Sequence, residues 1–283
     1  ELLMPYTGRS IRIGVSGSPG VGKSTFIESF GNHVIKKGYK VAVLAVDPTS
    51  SVSGGSILGD KTRMETLSRD VDAYIRPSPA GKTLGGVTRR TRETLLLCEA
   101  AGFDVIFVET VGVGQSETAV SEMTDMFLLL IPPGGGDELQ GIKRGIMELA
   151  DLVLVNKSDG DQLAAASRTA CDYQTALQFL HNRSLNWEAK VQTMSALTGQ
   201  DIDSVWQIIS EYKALLNKTG EIHSRRIEQS TAWMWSEVAD GLLDELKKSG
   251  SVMSLVENIE KKVKKGKLPP TVAARRLIEK FRR

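Results

Sequence analysis

The chain has few of the residues that build disulfide frameworks or metal centres. Of 283 residues only two are cysteines, Cys98 and Cys171, and they form no Cys-x-x-Cys pair. A disulfide scaffold is excluded, and a core of this size needs none. Both cysteines fall in helix-like stretches and read as reduced, buried thiols. The three histidines, His33, His181 and His223, are scattered without metal-ligand spacing. No apolar run exceeds the length of a buried strand, so no membrane span is expected, and no signal peptide is visible. A large excess of one charge sign is also lacking, the net value being +2. That figure hides an asymmetry: Lys247 to Arg283 carries 12 Lys/Arg against 3 Asp/Glu. A basic tail can meet nucleic acid, membrane or an acidic partner. Its lysines are interleaved with apolar residues at helical spacing, so solvated helix faces are the simpler reading. No specific nucleic acid and no membrane partner are expected.

What is present is an alternation of short apolar strands and amphipathic helices over the first 215 or so residues. Ile11–Ser16, Lys40–Val46, Asp104–Glu109, Asp125–Ile131, Leu152–Asn156 and Lys190–Ser195 read as strands, with Ala73–Ile75 a shorter candidate. Runs such as Val-Ile-Phe-Val are apolar on both faces, as parallel strands covered on both sides must be. The alternation predicts an α/β fold with a doubly wound, mostly parallel sheet. In such sheets ligands sit at the carboxyl ends of the strands, where Asp47, Glu109, Asn156 and Ser195 would converge. After about Asn217 no strand-like run remains. Ser224–Lys248, Val252–Lys265 and Thr271–Phe281 read as helices, broken at Pro269–Pro270. The expected division is therefore 1–216 for the sheet domain and 217–283 for a C-terminal helical appendage.

Gly17-Ser18-Pro19-Gly20-Val21-Gly22-Lys23-Ser24, with Thr25 after it, lies between a strand and a helix, the context a phosphate-binding P-loop requires. Glycines let backbone N–H groups turn in toward phosphate oxygens, and the helix N-terminus adds a positive dipole end. Lys23 supplies a mobile positive charge to the β- and γ-phosphates, and Ser24 offers a hydroxyl to Mg2+. Asn156-Lys157-Ser158-Asp159 follows the fifth strand. Guanine presents two adjacent donors, and one carboxylate, Asp159, accepts both. Adenine would leave that carboxylate desolvated, a basis for selectivity of about 10⁴ or more. Asn156 is expected to tie this loop to the P-loop, and the Lys157 stem to cover one face of the base. Ser195-Ala196-Leu197, at the next strand end, fits a second base-contacting loop. GTP and GDP are the expected ligands.

Glu109-Thr-Val-Gly112 stands where an Asp-x-x-Gly element is usual. Its carboxylate would orient Mg2+ or its waters, and the Gly112 N–H would sense the γ-phosphate. Gln115 could position the attacking water, or be a polar loop residue with no such role. Asp47 and Asp60 flank a Ser/Gly-rich segment able to order around nucleotide; they are candidates for metal or water, or else a cap and a surface residue. The expected catalytic set is thus Lys23, Glu109, Gln115, Asp47 and Asp60, and the expected metal set Ser24, Asp47, Asp60 and Glu109. Pro132 to Arg144 forms a further Gly-rich loop, with Asp137 as a helix N-cap.

These stretches resemble the metallochaperone-type P-loop GTPases (SIMIBI class), in the branch of MeaB, the methylmalonic aciduria type A protein and ArgK. The resemblance rests on Gly17–Thr25, Ala45–Met64, Ile75–Gly86, Glu109–Glu117, Gly135–Gly145, Asn156–Asp159 and Trp233-Met-Trp235, and covers nearly the whole chain. It implies a GTPase that gates cobalamin loading into an adenosylcobalamin-dependent methylmalonyl-CoA mutase or related acyl-CoA mutase, and protects or reactivates it. It also implies a homodimer made by the C-terminal helices, and a third switch loop in which Gln140 and Lys143 communicate with the mutase. The alternatives are a P-loop kinase, after the older ArgK label, and a nickel-type metallochaperone; the His-rich or Cys/His sites of the latter are absent from the sequence. No Asp-x-His-x-x-Gly loop is recognisable, so no cobalamin site of its own is expected. The expected location is a bacterial cytoplasm, or a mitochondrial matrix if a transit peptide preceding Glu1 has been removed.

Overall fold

A computed structural model of the chain describes residues 1–46, 64–78, 84–110, 116–134, 144–180 and 183–282. Seven strands form one sheet: β1 (Ile11–Gly17), β2 (Val41–Val46), β3 (Ala73–Ser78), β4 (Val105–Thr110), β5 (Met126–Ile131), β6 (Leu152–Val155) and β7 (Lys190–Thr193). Their order is β3-β2-β4-β1-β5-β6-β7, and every pairing is parallel. The short Ala73–Ile75 candidate is a full edge strand.

Among the described residues there are nine α-helices: α1 (Lys23–Lys36), α2 (Leu84–Ala100), α3 (Ser116–Ser121), α4 (Arg144–Met147), α5 (Leu163–Leu177), α6 (Ile202–Lys218), α7 (Glu221–Lys248), α8 (Gly250–Lys264) and α9 (Pro270–Phe281). The proposed cap Asp137 lies outside the described residues.

Successive side chains of a strand point to opposite faces, and the core divides accordingly. Ile11, Ile13 and Val15 of β1, with Phe107 and Leu128, pack with Phe26, Phe30 and Val34 of α1 and Val205, Ile209 and Tyr212 of α6. On the other face Leu44, Ile106, Val108 and Phe127 meet Leu95 and Cys98 of α2 and Val120 after β4. Leu129, Ile131, Val153 and Val155 meet Ala166, Tyr173 and Leu177 of α5. Every residue of β2, β4, β5 and β6 is buried. That burial explains why these strands lack polar–apolar alternation.

The two cysteines behave differently. Cys98 is buried and Cys171 is exposed, which corrects the expectation of two buried thiols. The buried residues of α5 are Ala166, Thr169, Tyr173 and Leu177, and Cys171 falls on the opposite side of that helix. Burial pushes the Cys98 thiol up to about 11, so it stays protonated and inert.

The chain divides into two compact units, Glu1–Arg226 and Ile227–Arg283. In the second, α8 and α9 pack through Ile259, Leu268 and Ala273, with Leu255, Val263, Val272 and Leu277 around them. The face of α7 bearing Ile227, Met234, Val238 and Leu242 is exposed. Among the described residues no helix is long and apolar enough to cross a membrane.

Candidate functional site

The strand order reverses direction at β1: the chain passes from β1 to β2 on one side, while β5 lies on the other. Parallel sheets open a crevice at such a point, beyond the carboxyl ends of the strands. The Gly17–Ser24 loop occupies that position, leaving β1 at Gly17 and entering α1 at Lys23.

Two of its glycines are required by close contacts. A Cβ on Gly17 would lie 2.3 Å from the Leu130 carbonyl oxygen of β5, and one on Gly22 would lie 2.6 Å from Asn156 Nδ2. Gly22 also has φ +98, a left-handed conformation that favours glycine. It is the N-cap of α1, and no side chain caps the helix there. The positive end of α1 therefore faces the loop, an arrangement suited to an anion. Lys23 is buried and its ammonium folds back over the loop, donating to Gly17 O at 2.7 Å and Ser18 O at 3.2 Å. A desolvated positive charge thus stands at the centre of the cradle.

The structure brings Ser24 and Glu109 together. β4 lies beside β1 with Glu109 opposite Val15, and the Ser24 hydroxyl donates to Glu109 Oε1 at 3.0 Å. Two hard oxygen donors side by side are what a Mg2+ site needs. Beneath them Thr110 Oγ1 donates to Ser16 Oγ at 3.0 Å in a buried position. This hydroxyl pair, which sequence reading missed, joins the ends of β1 and β4. Its only signal was a small polar residue at the end of each apolar strand. Asp47, Asp60, Gly112, Gln115, Gln140 and Lys143 lie outside the described residues.

The loop after β6 is tied into the cradle through Asn156. Its Nδ2 donates to Val21 O at 2.8 Å, and its Oδ1 accepts the Ala196 N–H at 2.9 Å. One buried amide thus joins the phosphate loop, the Asn156–Asp159 loop and the Ser195–Leu197 loop. Lys157 takes φ +62 and its Nζ donates to Gly20 O at 2.9 Å. The lysine side chain thus reaches from the Asn156–Asp159 loop to the cradle. Ser158 is buried, and its N–H donates to Met194 O at 3.0 Å.

The Ser195 hydroxyl donates to Asp159 Oδ2 and accepts the Thr198 N–H at 3.1 Å. Sequence reading gave Ser195-Ala196-Leu197 as a second base-contacting loop; the geometry adds a side chain that holds the Asp159 carboxylate. Leu197 is 82% exposed beside it, an apolar surface next to Asp159's loop. Three loops from distant parts of the chain are therefore tied together by hydrogen bonds, with Lys23 in one and Asp159 in another.

The family profile described as "Methylmalonyl Co-A mutase-associated GTPase MeaB" matches residues 1–251. The chain belongs to the MeaB family. A putative GTPase of Caulobacter vibrioides is 54% identical over 279 residues, covering 99% of this chain and 85% of that one. The mouse protein named "Methylmalonic aciduria type A homolog, mitochondrial" is 50% identical over 273 residues, covering 96% of this chain and 66% of its own length. A crystal structure titled as a LAO/AO transport system kinase superposes with TM-score 0.76 at 39% identity, covering all of this chain and 85% of that one. As a member of the MeaB family the chain is a GTPase that binds guanine nucleotide.

Proposed function

We propose that this MeaB-family GTPase gates the loading of adenosylcobalamin into an adenosylcobalamin-dependent acyl-CoA mutase of the methylmalonyl-CoA mutase type, and protects or reactivates that mutase. The observation that carries the reading is a cradle and base-selecting loop, fastened together at Asn156, in a chain matching a mutase-associated GTPase profile over residues 1–251.

In this reading Asp159, oriented by Ser195, accepts the two guanine donors, and the Lys157 stem covers the base. Lys23 leaves the Gly17 and Ser18 carbonyls for the β- and γ-phosphates, which the first turn of α1 also faces. Ser24 and Glu109 would hold Mg2+, with Asp47 and Asp60 as further ligands or water-bridged partners. The metal, when bound, neutralises phosphate charge. Gln115 positions the attacking water, and the Gly112 N–H senses the γ-phosphate. Gln140 and Lys143 carry the nucleotide state to the mutase. Residues 217–283 form the homodimer, a reading supported by the exposed apolar face of α7. Hydrolysis then serves as a timing signal for cofactor transfer.

The test is GTP turnover measured with and without the mutase. Stimulation by the mutase is expected, and Lys143→Ala should lose it while still binding nucleotide. Unchanged turnover together with no detectable association would refute the mutase reading. The similarity to a LAO/AO transport system kinase offers a second reading. With γ-labelled GTP and candidate acceptors, the label should appear as inorganic phosphate alone; transfer to an acceptor would favour the kinase.

A further inference from the structure

On the edge of the sheet opposite the cradle, the ends of several elements meet in a buried ionic network. Glu99 near the end of α2 and Asp125 just before β5 both have fully buried side chains. Arg12 of β1 donates to Glu99 through Nε at 3.0 Å and Nη2 at 2.7 Å, and its backbone N–H donates to Asp125 Oδ2 at 2.8 Å. Arg226 of α7 grips Asp125 with both arms, Nε to Oδ1 at 2.7 Å and Nη2 to Oδ2 at 2.6 Å. Arg225 donates to the Asp125 carbonyl, to Tyr212 OH at 2.7 Å and to Glu221 at 2.9 Å. Arg183 holds the far end of α3, donating to Ser121 O at 2.6 Å and Thr124 O at 3.3 Å, and pairs with buried Asp151 at 3.1 Å. The four guanidiniums are matched by four carboxylates, Glu99, Asp125, Asp151 and Glu221.

The placement of this network gives it a meaning beyond stability. Arg226 is the last residue of the first compact unit, and α7 continues into the second. Asp125 is joined to the nucleotide site by two routes. It holds the start of β1, the strand that ends in the cradle at Gly17. It also follows α3, the helix downstream of β4, whose Glu109 touches Ser24. Arg226 also donates to the Gly8 and Ser10 carbonyls at 3.0 and 2.8 Å and lies 3.4 Å from Glu99. The Asp125 side chain is fully buried, so a shift that parted it from Arg226 would leave it with the Arg12 N–H and, among the described residues, no cation in direct contact. These contacts tie the root of α7 to the start of β1 and to the residue before β5.

We propose that Arg226 and Arg225 couple the root of α7 to the nucleotide state of the cradle, so that the helix leading into the second unit responds to exchange of GDP for GTP. Coupling of this kind is reciprocal: a partner that restrains α7 also changes nucleotide affinity. The proposal rests on guanine nucleotide binding at the cradle, and the experiment reports that separately.

The experiment is hydrogen exchange, read by mass spectrometry, on the full chain loaded with GDP or with a non-hydrolysable GTP analogue. Amides of residues 17–25 should be protected by either nucleotide; no protection there would refute the cradle reading, not the coupling. Amides of residues 221–232 should exchange at rates differing by about fivefold or more between the two states. Arg226→Lys keeps the charge but not the two-armed grip, and should collapse that difference to within about twofold while residues 17–25 stay protected. Should Arg226→Lys fail to fold, Arg225→Lys carries the same expectation, since it removes the forked contact with the Asp125 carbonyl, Tyr212 and Glu221. Equal exchange of residues 221–232 in both nucleotide states of the native chain would overturn the proposal. So would a folded variant that keeps the full difference.

Discussion

Replacing Gly22 with alanine, with Gly20→Ala as its comparison, tests whether the phosphate and guanine loops brace each other. Gly22 has φ +98 and Gly20 φ +81. Either substitution puts a side chain into left-handed backbone, a strain of about 1–2 kcal/mol. The surroundings differ. The new carbon at Gly22 falls 2.6 Å from Asn156 Nδ2, whereas at Gly20 nothing lies within 4 Å. Nδ2 is the atom that donates to Val21 O at 2.8 Å. Asn156 must therefore swing aside, stranding the Val21 carbonyl and loosening the 2.9 Å contact from the Ala196 N–H. A buried polar group left unsatisfied costs about 1–3 kcal/mol. Gly20→Ala should thus lose about 1–2 kcal/mol and Gly22→Ala about 2–5 kcal/mol. Since Asn156 also carries the loop with Asp159, Gly22→Ala should weaken GDP binding by about tenfold or more. Urea unfolding of the nucleotide-free chain and titration with a fluorescent GDP measure the two effects. Variants that agree within about 0.5 kcal/mol in stability, and bind GDP equally, would refute the bracing role of Asn156.

Asp159→Asn should lower GTP affinity and relax the preference over ATP or xanthosine triphosphate; competition binding that shows unchanged selectivity would remove Asp159 from base recognition. Ser195→Ala frees the Asp159 carboxylate and should weaken guanine nucleotide binding by about 1 kcal/mol, less than Asp159→Asn, as isothermal titration would read. Ser24→Ala should raise the Mg2+ concentration needed for half-maximal GTP turnover by about tenfold or more; an unchanged requirement would displace the metal from Ser24. Acid stability follows from Glu99. Burial acts to raise its pKa, but hydrogen bonds and charge from Arg12, with Ser10 and Arg226, outweigh that and hold it below the ordinary value. The unfolded carboxyl, at about 4.3, takes up its proton first. The stabilisation is therefore complete above that value and is lost as the pH falls through it toward the folded value. Glu99→Gln should flatten the dependence of stability on pH below about pH 5, measured by denaturant titration at several pH values.

Much of the fold was legible in the sequence because its signals are local. Apolar runs with glycine turns between them mark buried parallel strands, and the Lys23 helix follows its loop without interruption. The cradle was legible because backbone N–H groups can approach an anion only where side chains are absent, and that demand leaves Gly17, Gly20 and Gly22 in the chain. The Asn156–Asp159 tetrad and Glu109 were legible because parallel strands deliver their carboxyl ends to one edge. The sequence also suggested that Asn156 ties two loops together.

Only tertiary structure supplied the atoms of that tie, Val21 O on one side and Ala196 N–H on the other. The same is true of the Ser195 hydroxyl on Asp159 and the Ser16–Thr110 pair. These contacts join residues 36 to 135 positions apart, and a serine near a strand end looks the same in sequence whether or not it has such a partner. The exposure of Cys171 depended on which side of α5 meets the sheet. The ionic network below the sheet was invisible for a different reason. Nothing local in the sequence marks Arg12, Glu99, Asp125 and Arg226 as partners; the strand order packs them together and removes most of their water.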